Sequence, residues 1–233
     1  MSQKFCIIIP AYNESSVIGD VIKNTQKVFS KSIYTCDIVV INDGSKDNTS
    51  DVAKKSGAIV IDHILNSGAG AATTTGLEYA NQKKYDAVAT MDADGQHDPN
   101  DVLLGFKVLR ETKSDLLIGS RLINSEGMSK VKILGNKGLS AITFLLFGIN
   151  STDSQSGLRI YGKKALDELR WTTTGYEFCS EMLWRAHQLK LKVSEYPIKA
   201  IYTDYSKSKG QNNWNAINII KNLVKKRISE MFL

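Results

Sequence analysis

Cysteine is scarce in this 233-residue chain: Cys6, Cys36 and Cys179 are odd in number and lack the paired spacing of a metal or redox site. That excludes a disulfide scaffold, and the three read as reduced, partly buried thiols of a cytosolic protein. Long apolar runs are missing too. The first run is broken at Pro10, and the longest, 139–149, falls well short of the roughly 20 residues that span a bilayer. Neither a signal peptide nor a membrane span is expected, so the protein is expected to be soluble or peripheral. There is no linker, internal repeat or low-complexity tract. Basic residues are dispersed, without a recognition helix or an aromatic-rich sheet motif, so nucleic acid is not an expected partner.

What remains is ordinary globular composition, 42% hydrophobic and 23% charged, with a formal charge of +6. The mild positive excess suits an anionic partner such as a phosphate-bearing substrate or an anionic membrane surface, without choosing between them.

Short β-branched runs at 5–9, 37–41, 58–61, 87–91 and 116–118 alternate with helical stretches at 17–29, 49–55, 71–82 and 102–111. Such alternation predicts an α/β domain with a mostly parallel, doubly wound sheet. Asp98-Pro99 reads as the cap and first turn of the last of these helices. Beyond about Arg121 the alternation breaks down around an apolar helix at 139–147, a strand-like 157–161 and a helix at 177–189. One domain with a modified final third is the simplest organisation.

The strongest chemical signal is Met91-Asp92-Ala-Asp94-Gly-Gln96, at the end of an apolar strand. Open α/β sheets bind ligands beyond the carboxyl ends of their strands. Two carboxylates one residue apart there can converge on a hard divalent cation that also bridges diphosphate oxygens. Pro10-Ala-Tyr12-Asn-Glu14 and Asn42-Asp43-Gly-Ser follow two other strands. Tyr12, Glu14, Asp43, Asp92 and Asp94 thus share one edge, as in a nucleotide pocket with an aromatic face and carboxylates for base or ribose. Asn66-Ser-Gly-Ala-Gly-Ala also follows a strand, but Thr73 stands where a dinucleotide fingerprint needs its third glycine or alanine. His97 shapes the turn beside the aspartates, and His63 and His187 read as structural.

These motifs, with Gly119-Ser-Arg121, Asp153-Ser-Gln-Ser-Gly-Leu-Arg159 and Tyr176-Glu-Phe-Cys-Ser-Glu181, occur in an order that resembles the polyprenyl-phosphate (dolichyl-phosphate) hexose synthases of glycosyltransferase family 2. The resemblance spans residues 5–210. It implies a GT-A fold and an inverting transfer of one hexose from a GDP- or UDP-sugar to dolichyl or polyprenyl phosphate, helped by Mg²⁺ or Mn²⁺. Asp92, Asp94 and Gln96 resemble the family's metal ligands; Pro10, Tyr12, Glu14, Asp43 and Asp92 its nucleotide contacts. Arg121 and Arg159 match phosphate-binding positions and, with Asp94, are the expected catalytic groups. Lys209 resembles a lysine of the C-terminal Ser-Lys element, and Lys132 adds positive charge for the acceptor phosphate. The stretch 202–206 lacks the arginine often found before that element.

The expected division is a catalytic domain over 1–210 and a basic amphipathic helix over 211–233. In the latter, Ile217, Ile220, Val224 and Ile228 share a face, with Lys221, Lys225, Lys226 and Arg227 largely elsewhere. It either caps the core or lies on the cytoplasmic face of a membrane, where a membrane partner or a second copy can also hold the chain. Two rival functions remain. A transferase acting on a sugar hydroxyl would need a carboxylate base, Glu177 or Glu181. A non-catalytic nucleotide-sugar binder would not need the intact Asp92/Asp94 pair.

Overall fold

The computed structural model describes residues 3–202, 205, 218–225 and 227. Its elements are β1 (Lys4–Ala11), α1 (Ile18–Phe29), β2 (Thr35–Asn42), α2 (Thr49–Lys55), β3 (Ile59–Asp62), α3 (Ala69–Gln82), β4 (Ala87–Thr90) and α4 (Pro99–Thr112). There follow β5 (Leu116–Ser120), α5 (Lys130–Phe147), β6 (Arg159–Gly162), α6 (Lys163–Glu168), α7 (Phe178–Gln188) and β7 (Val193–Pro197).

The strands form one seven-stranded sheet in the order β3-β2-β1-β4-β6-β5-β7. All pairings are parallel except those of β6, which runs antiparallel to both β4 and β5. Because β1 has helices on both sides, both of its faces are apolar, as parallel strands require. Phe5, Ile7 and Ile9 pack with Ile18 and Ile22 of α1 and Val102 and Phe106 of α4. Cys6 and Ile8 pack with Ala72 and Leu77 of α3 and Met182 and Leu183 of α7. Phe5 and Phe106 stack at 4.4 Å between ring centroids. Asp98 caps α4 as expected, accepting from Asn100 N at 2.8 Å, with Pro99 in the first turn.

The structure adds two elements that periodicity did not mark, α6 and the edge strand β7, and extends the expected apolar helix back to Lys130. Helix α5 is arranged against the usual rule. It buries Ser140, Thr143 and Phe147, while Val131, Leu134 and Leu145 are 79%, 75% and 79% exposed. Ser140, Thr143, Ser154, Ser180 and Gln155 form a hydroxyl-rich network beneath it, including Thr143 Oγ1 to Ser180 Oγ at 2.9 Å. In the C-terminal stretch, Leu223 is buried with Phe147 and Trp184, and Ile219 packs there too. The described part of that helix therefore caps the core, with Arg227 over the Trp184 ring. Ile217, Lys226 and Ile228 lie outside the described residues.

Candidate active site

Parallel pairing brings the ends of β1, β2 and β4 to one edge of the sheet. Turn 12–14 is stitched to turn 43–47: Asn13, with a left-handed φ of 56°, takes Lys46 N on its side chain at 2.8 Å and gives its own N–H to Ser45 Oγ at 2.9 Å. Glu14 is buried and Tyr12 is 38% exposed, so the carboxylate faces inward and the aromatic ring outward. Tyr205 donates to Glu14 Oε2 at 2.7 Å, which brings the C-terminal stretch back across the first strand.

Asp43 is buried and is spent largely on its own neighbourhood. Its Oδ1 accepts from Ser67 N at 2.9 Å and from His63 Nδ1 at 2.8 Å, and its Oδ2 from Gly68 N at 2.8 Å. His63 also bridges to Thr75 at 3.0 Å, so it supports a site carboxylate rather than the core alone. At Gly68, φ is 97° and an added Cβ would collide with the Thr174 carbonyl. The glycine turn thus serves the close approach of 171–175, reinforced by Gly70 N to Thr174 O at 2.7 Å.

In the turn after β4, Gln96 N donates to Asp94 Oδ1 at 3.0 Å, and His97 Nε2 to Asp92 Oδ2 at 2.9 Å. Each aspartate is anchored through one oxygen. Burial pushes the Asp94 carboxyl up to about 6, the negative charge of Asp92 adding to the rise. Solvent reaches half of the Asp92 side chain, yet protein atoms crowd it and push its carboxyl up. The His97 hydrogen bond, with the charges of His97, Arg121 and Arg159, more than offsets this and holds Asp92 below the usual carboxylate range. Two adjacent carboxylates, one pushed toward its neutral form by burial and then by the charge of the other, suit a divalent cation that would relieve their repulsion. Among the described residues no group of three His, Cys, Asp or Glu side chains gathers to hold a metal. The turn after β4 thus gathers two carboxylates, Asp92 and Asp94, beside Gln96.

Opposite lies the basic side. Arg121 makes a bidentate pair with buried Asp153, Nε at 2.7 Å and Nη2 at 2.9 Å. Burial tends to lower its pKa, but the Asp153 bond and charge raise it above the arginine value. Lys132, exposed on α5, lies 3.9 Å from the Tyr202 ring centroid. Burial, then the Arg121 charge, lowers its pKa. The departing stretch 202–206 thus contributes two tyrosines that touch the site residues.

Two expectations need correction. Arg159 was expected on the acceptor phosphate, but it is 1% exposed. Its guanidinium donates to the carbonyls of Ser156 at 2.9 Å, Ser154 at 2.8 Å and Cys179 at 3.4 Å. It braces the 154–158 loop from beneath and reaches Asp92 only through its charge. Glu181, a candidate base for the rival chemistry, is fully buried and holds the backbone of Thr172 and Thr173 at 3.2 and 2.8 Å. A base needs reach to the proton it takes, and Glu181 lacks it. Lys209 lies outside the described residues. Sequence reasoning missed Asp153, the buried Arg121 partner, and the half-buried Glu195, which holds Ser151 and Thr152; neither anchor leaves a periodic trace.

The sequence profile of Glycosyl transferase family 2 matches residues 6–170. The chain belongs to that family. It is 40% identical over 229 residues to the UDP-N-acetylglucosamine–dolichyl-phosphate N-acetylglucosaminyltransferase of Methanococcus voltae, covering 88% of this chain and 89% of the relative. To the undecaprenyl-phosphate mannosyltransferase of Micrococcus luteus it is 28% identical over 214 residues, covering 87% and 85%. Glucosyl-3-phosphoglycerate synthase of Mycobacterium tuberculosis, solved with Mn²⁺, UDP-glucose and phosphoglyceric acid, shares the fold with a TM-score of 0.73 at 19% identity, covering 97% of this chain and 80% of that one. This family 2 enzyme is a glycosyltransferase with a GT-A fold. No helix among its described residues is long and apolar enough to cross a membrane.

Proposed function

We propose that this family 2 enzyme transfers one sugar from a UDP-linked donor to a polyprenyl phosphate at a membrane surface. The observation that carries the reading is the meeting of opposite charges at the end of β4. The charge of Arg121 acts on Asp92, beside Asp94, Lys132 stands near Arg121, and Glu181, one of the two candidate bases, is locked in the core. A phosphomonoester has a second pKa of about 6, so its oxygen is already ionised at neutral pH and attacks the anomeric carbon without a base. What the chemistry needs is a way to hold two anions together. Asp92, Asp94 and Gln96 would hold Mg²⁺ or Mn²⁺, which would supply neutralising charge for the departing diphosphate. The Nε and Nη2 of Arg121 are fixed by Asp153, which presents the rest of the guanidinium in one orientation. Lys132 adds a second charge from α5. The displacement is in line and inverts the anomeric centre.

Asp43 supports the choice of base. A carboxylate has about four acceptor positions, and three are taken by His63, Ser67 N and Gly68 N. A uracil offers a single N–H to the position that remains, whereas guanine offers two side by side. The 40% identical relative is named for UDP-N-acetylglucosamine, so that donor is the first to test. Tyr12, Pro10 and Glu14 complete the nucleotide side.

Helix α5 supports the membrane surface. Val131, Leu134, Gly135, Gly138, Ala141 and Leu145 fall on one outward face, and the helix carries Lys130, Lys132 and Lys137 with no acidic residue. An apolar face rimmed by lysines matches an anionic bilayer. Beside it, a groove of about 480 Å³ is lined by Leu122, Ala141 and Phe144 together with the polar Lys137, Ser140, Asn150, Ser151 and Thr152, a mixed lining that offers the first isoprene unit an apolar strip and its phosphate polar groups.

The test is transfer of labelled sugar into extractable lipid, with UDP- and GDP-sugars, Mg²⁺ or Mn²⁺, and polyprenyl phosphate. Asp92→Asn and Asp94→Asn should each lower turnover by on the order of 10²- to 10³-fold, as loss of a charge-stabilising group does. Label that appears only with GDP-sugars, or only on free sugars, would refute the proposed donor or acceptor respectively.

A further inference from the structure

We infer that His97 is the positioning residue of the metal pair: it holds Asp92 by one oxygen so that the other faces the cation together with Asp94. The inference rests on the reading of Asp92 and Asp94 as metal ligands and adds a residue that no ligand assignment requires.

His97 is buried, its side chain only 2% exposed. Its Nε2 lies 2.9 Å from Asp92 Oδ2. Its other ring nitrogen, Nδ1, is buried with no hydrogen-bond partner among the described residues. Burying an unsatisfied ring nitrogen costs stability, and a residue that merely filled the turn could be apolar and avoid that cost. The imidazole is retained where its one hydrogen bond goes to a site carboxylate.

A second contact comes from the loop that precedes β6. Gly157 presses its backbone against the carboxylate, and a Cβ at that position would collide with both Asp92 oxygens. Gly157 is held in turn, its carbonyl accepting from Thr90 Oγ1 at 2.8 Å. Asp92 is thus clamped between a ring nitrogen and a bare backbone. Asp94 is fixed by the same turn through Gln96 N. The turn therefore supplies an anchor for one oxygen of each aspartate and leaves Asp92 Oδ1 and Asp94 Oδ2 to a ligand. Partners of this kind, one bond removed from a metal, orient its ligands and set their affinity.

Two amide substitutions separate positioning from packing. Glutamine can place its NH₂ where Nε2 stands; asparagine is shorter and mimics only the Nδ1 position. UDP binding to the full-length protein is measured by calorimetry in Mn²⁺ and in EDTA, alongside Mn²⁺ binding by electron paramagnetic resonance. His97→Gln should bind Mn²⁺ and UDP much as the wild type does. His97→Asn should lose about 10- to 100-fold in Mn²⁺-dependent UDP affinity, with its EDTA affinity and melting temperature unchanged. Equal Mn²⁺-dependent affinity in the two variants overturns the inference. So does an equal loss in EDTA, or a failure of both variants to fold, since His97 would then serve the pocket or the core. If the wild type itself binds UDP equally well in Mn²⁺ and EDTA, it is the metal reading that fails.

Discussion

Helices α4 and α5 solve opposite problems. Helix α4 turns Val102, Phe106 and Leu109 into the sheet, in the ordinary manner of a helix in water. Helix α5 turns Ser140 and Thr143 inward and leaves Val131, Leu134 and Leu145 outside. The first is built for the fold; the second buries Phe147 at its end but otherwise fastens itself with hydroxyl hydrogen bonds. The face proposed to meet the membrane is therefore not one that carries stability, and substitutions should separate the two.

The largest loss of stability is expected on the α4 side. Phe106→Ala removes a ring stacked on Phe5 and should cost about 3–5 kcal/mol, read as a lower urea midpoint; a change as small as that of a surface residue would break the contrast. Arg159→Met should come next. It leaves the Ser154 and Ser156 carbonyls without their donor, at roughly 1–3 kcal/mol for each buried group. If instead the fold is unchanged while the demand for lipid acceptor alone rises, Arg159 belongs to the acceptor site after all.

Asp94→Asn should reverse the direction. The Asp94 carboxyl titrates near 6 in the fold against 3.8 unfolded, so the folded state favours the protonated form. Its contribution to stability is fully present below pH 3.8 and is lost as pH rises through 6. In EDTA at pH 8 the asparagine variant should melt higher than the wild type, and the difference should vanish below pH 4. A variant that melts lower at pH 8 would place Asp94 among the structural residues. The smallest change in stability belongs to Leu134→Gln with Leu145→Gln, within about 0.5 kcal/mol. The same pair should abolish sedimentation with anionic vesicles. Retained sedimentation would shift the membrane contact to Lys221 and Lys225, both exposed on the C-terminal stretch.

The parallel half of the sheet was legible because β-branched runs, Asp98-Pro99 and helical spacing all agree there. Strand ends alone brought Tyr12, Glu14, Asp43, Asp92 and Asp94 to one edge. The remainder was hidden for particular reasons. Gly135, Asn136 and Gly138 are poor helix formers and concealed the first half of α5. Strand β7, Val-Ser-Glu-Tyr-Pro, is an edge strand whose glutamate serves a loop and whose proline ends it. Arg121 and Arg159 stand in equally dense motifs, and no local pattern told which would face the cleft and which would be sealed beneath it. His97 was visible, but its bond to Asp92 depends on how the turn closes.

The reversal of β6 carries one more consequence. Strand β5 leaves the sheet and β6 re-enters beside it, with Ile118 opposite Arg159 and Gly119 N bonded to Leu158 O at 2.9 Å. Everything between them, Arg121, Asp153 and all of α5, is one excursion whose two ends meet. A segment with adjoining ends can be exchanged for another without re-threading the sheet. If the proposed acceptor groups Arg121 and Lys132 do bind the lipid phosphate, replacing this one cassette should change what receives the sugar and leave the parallel half of the sheet as it is.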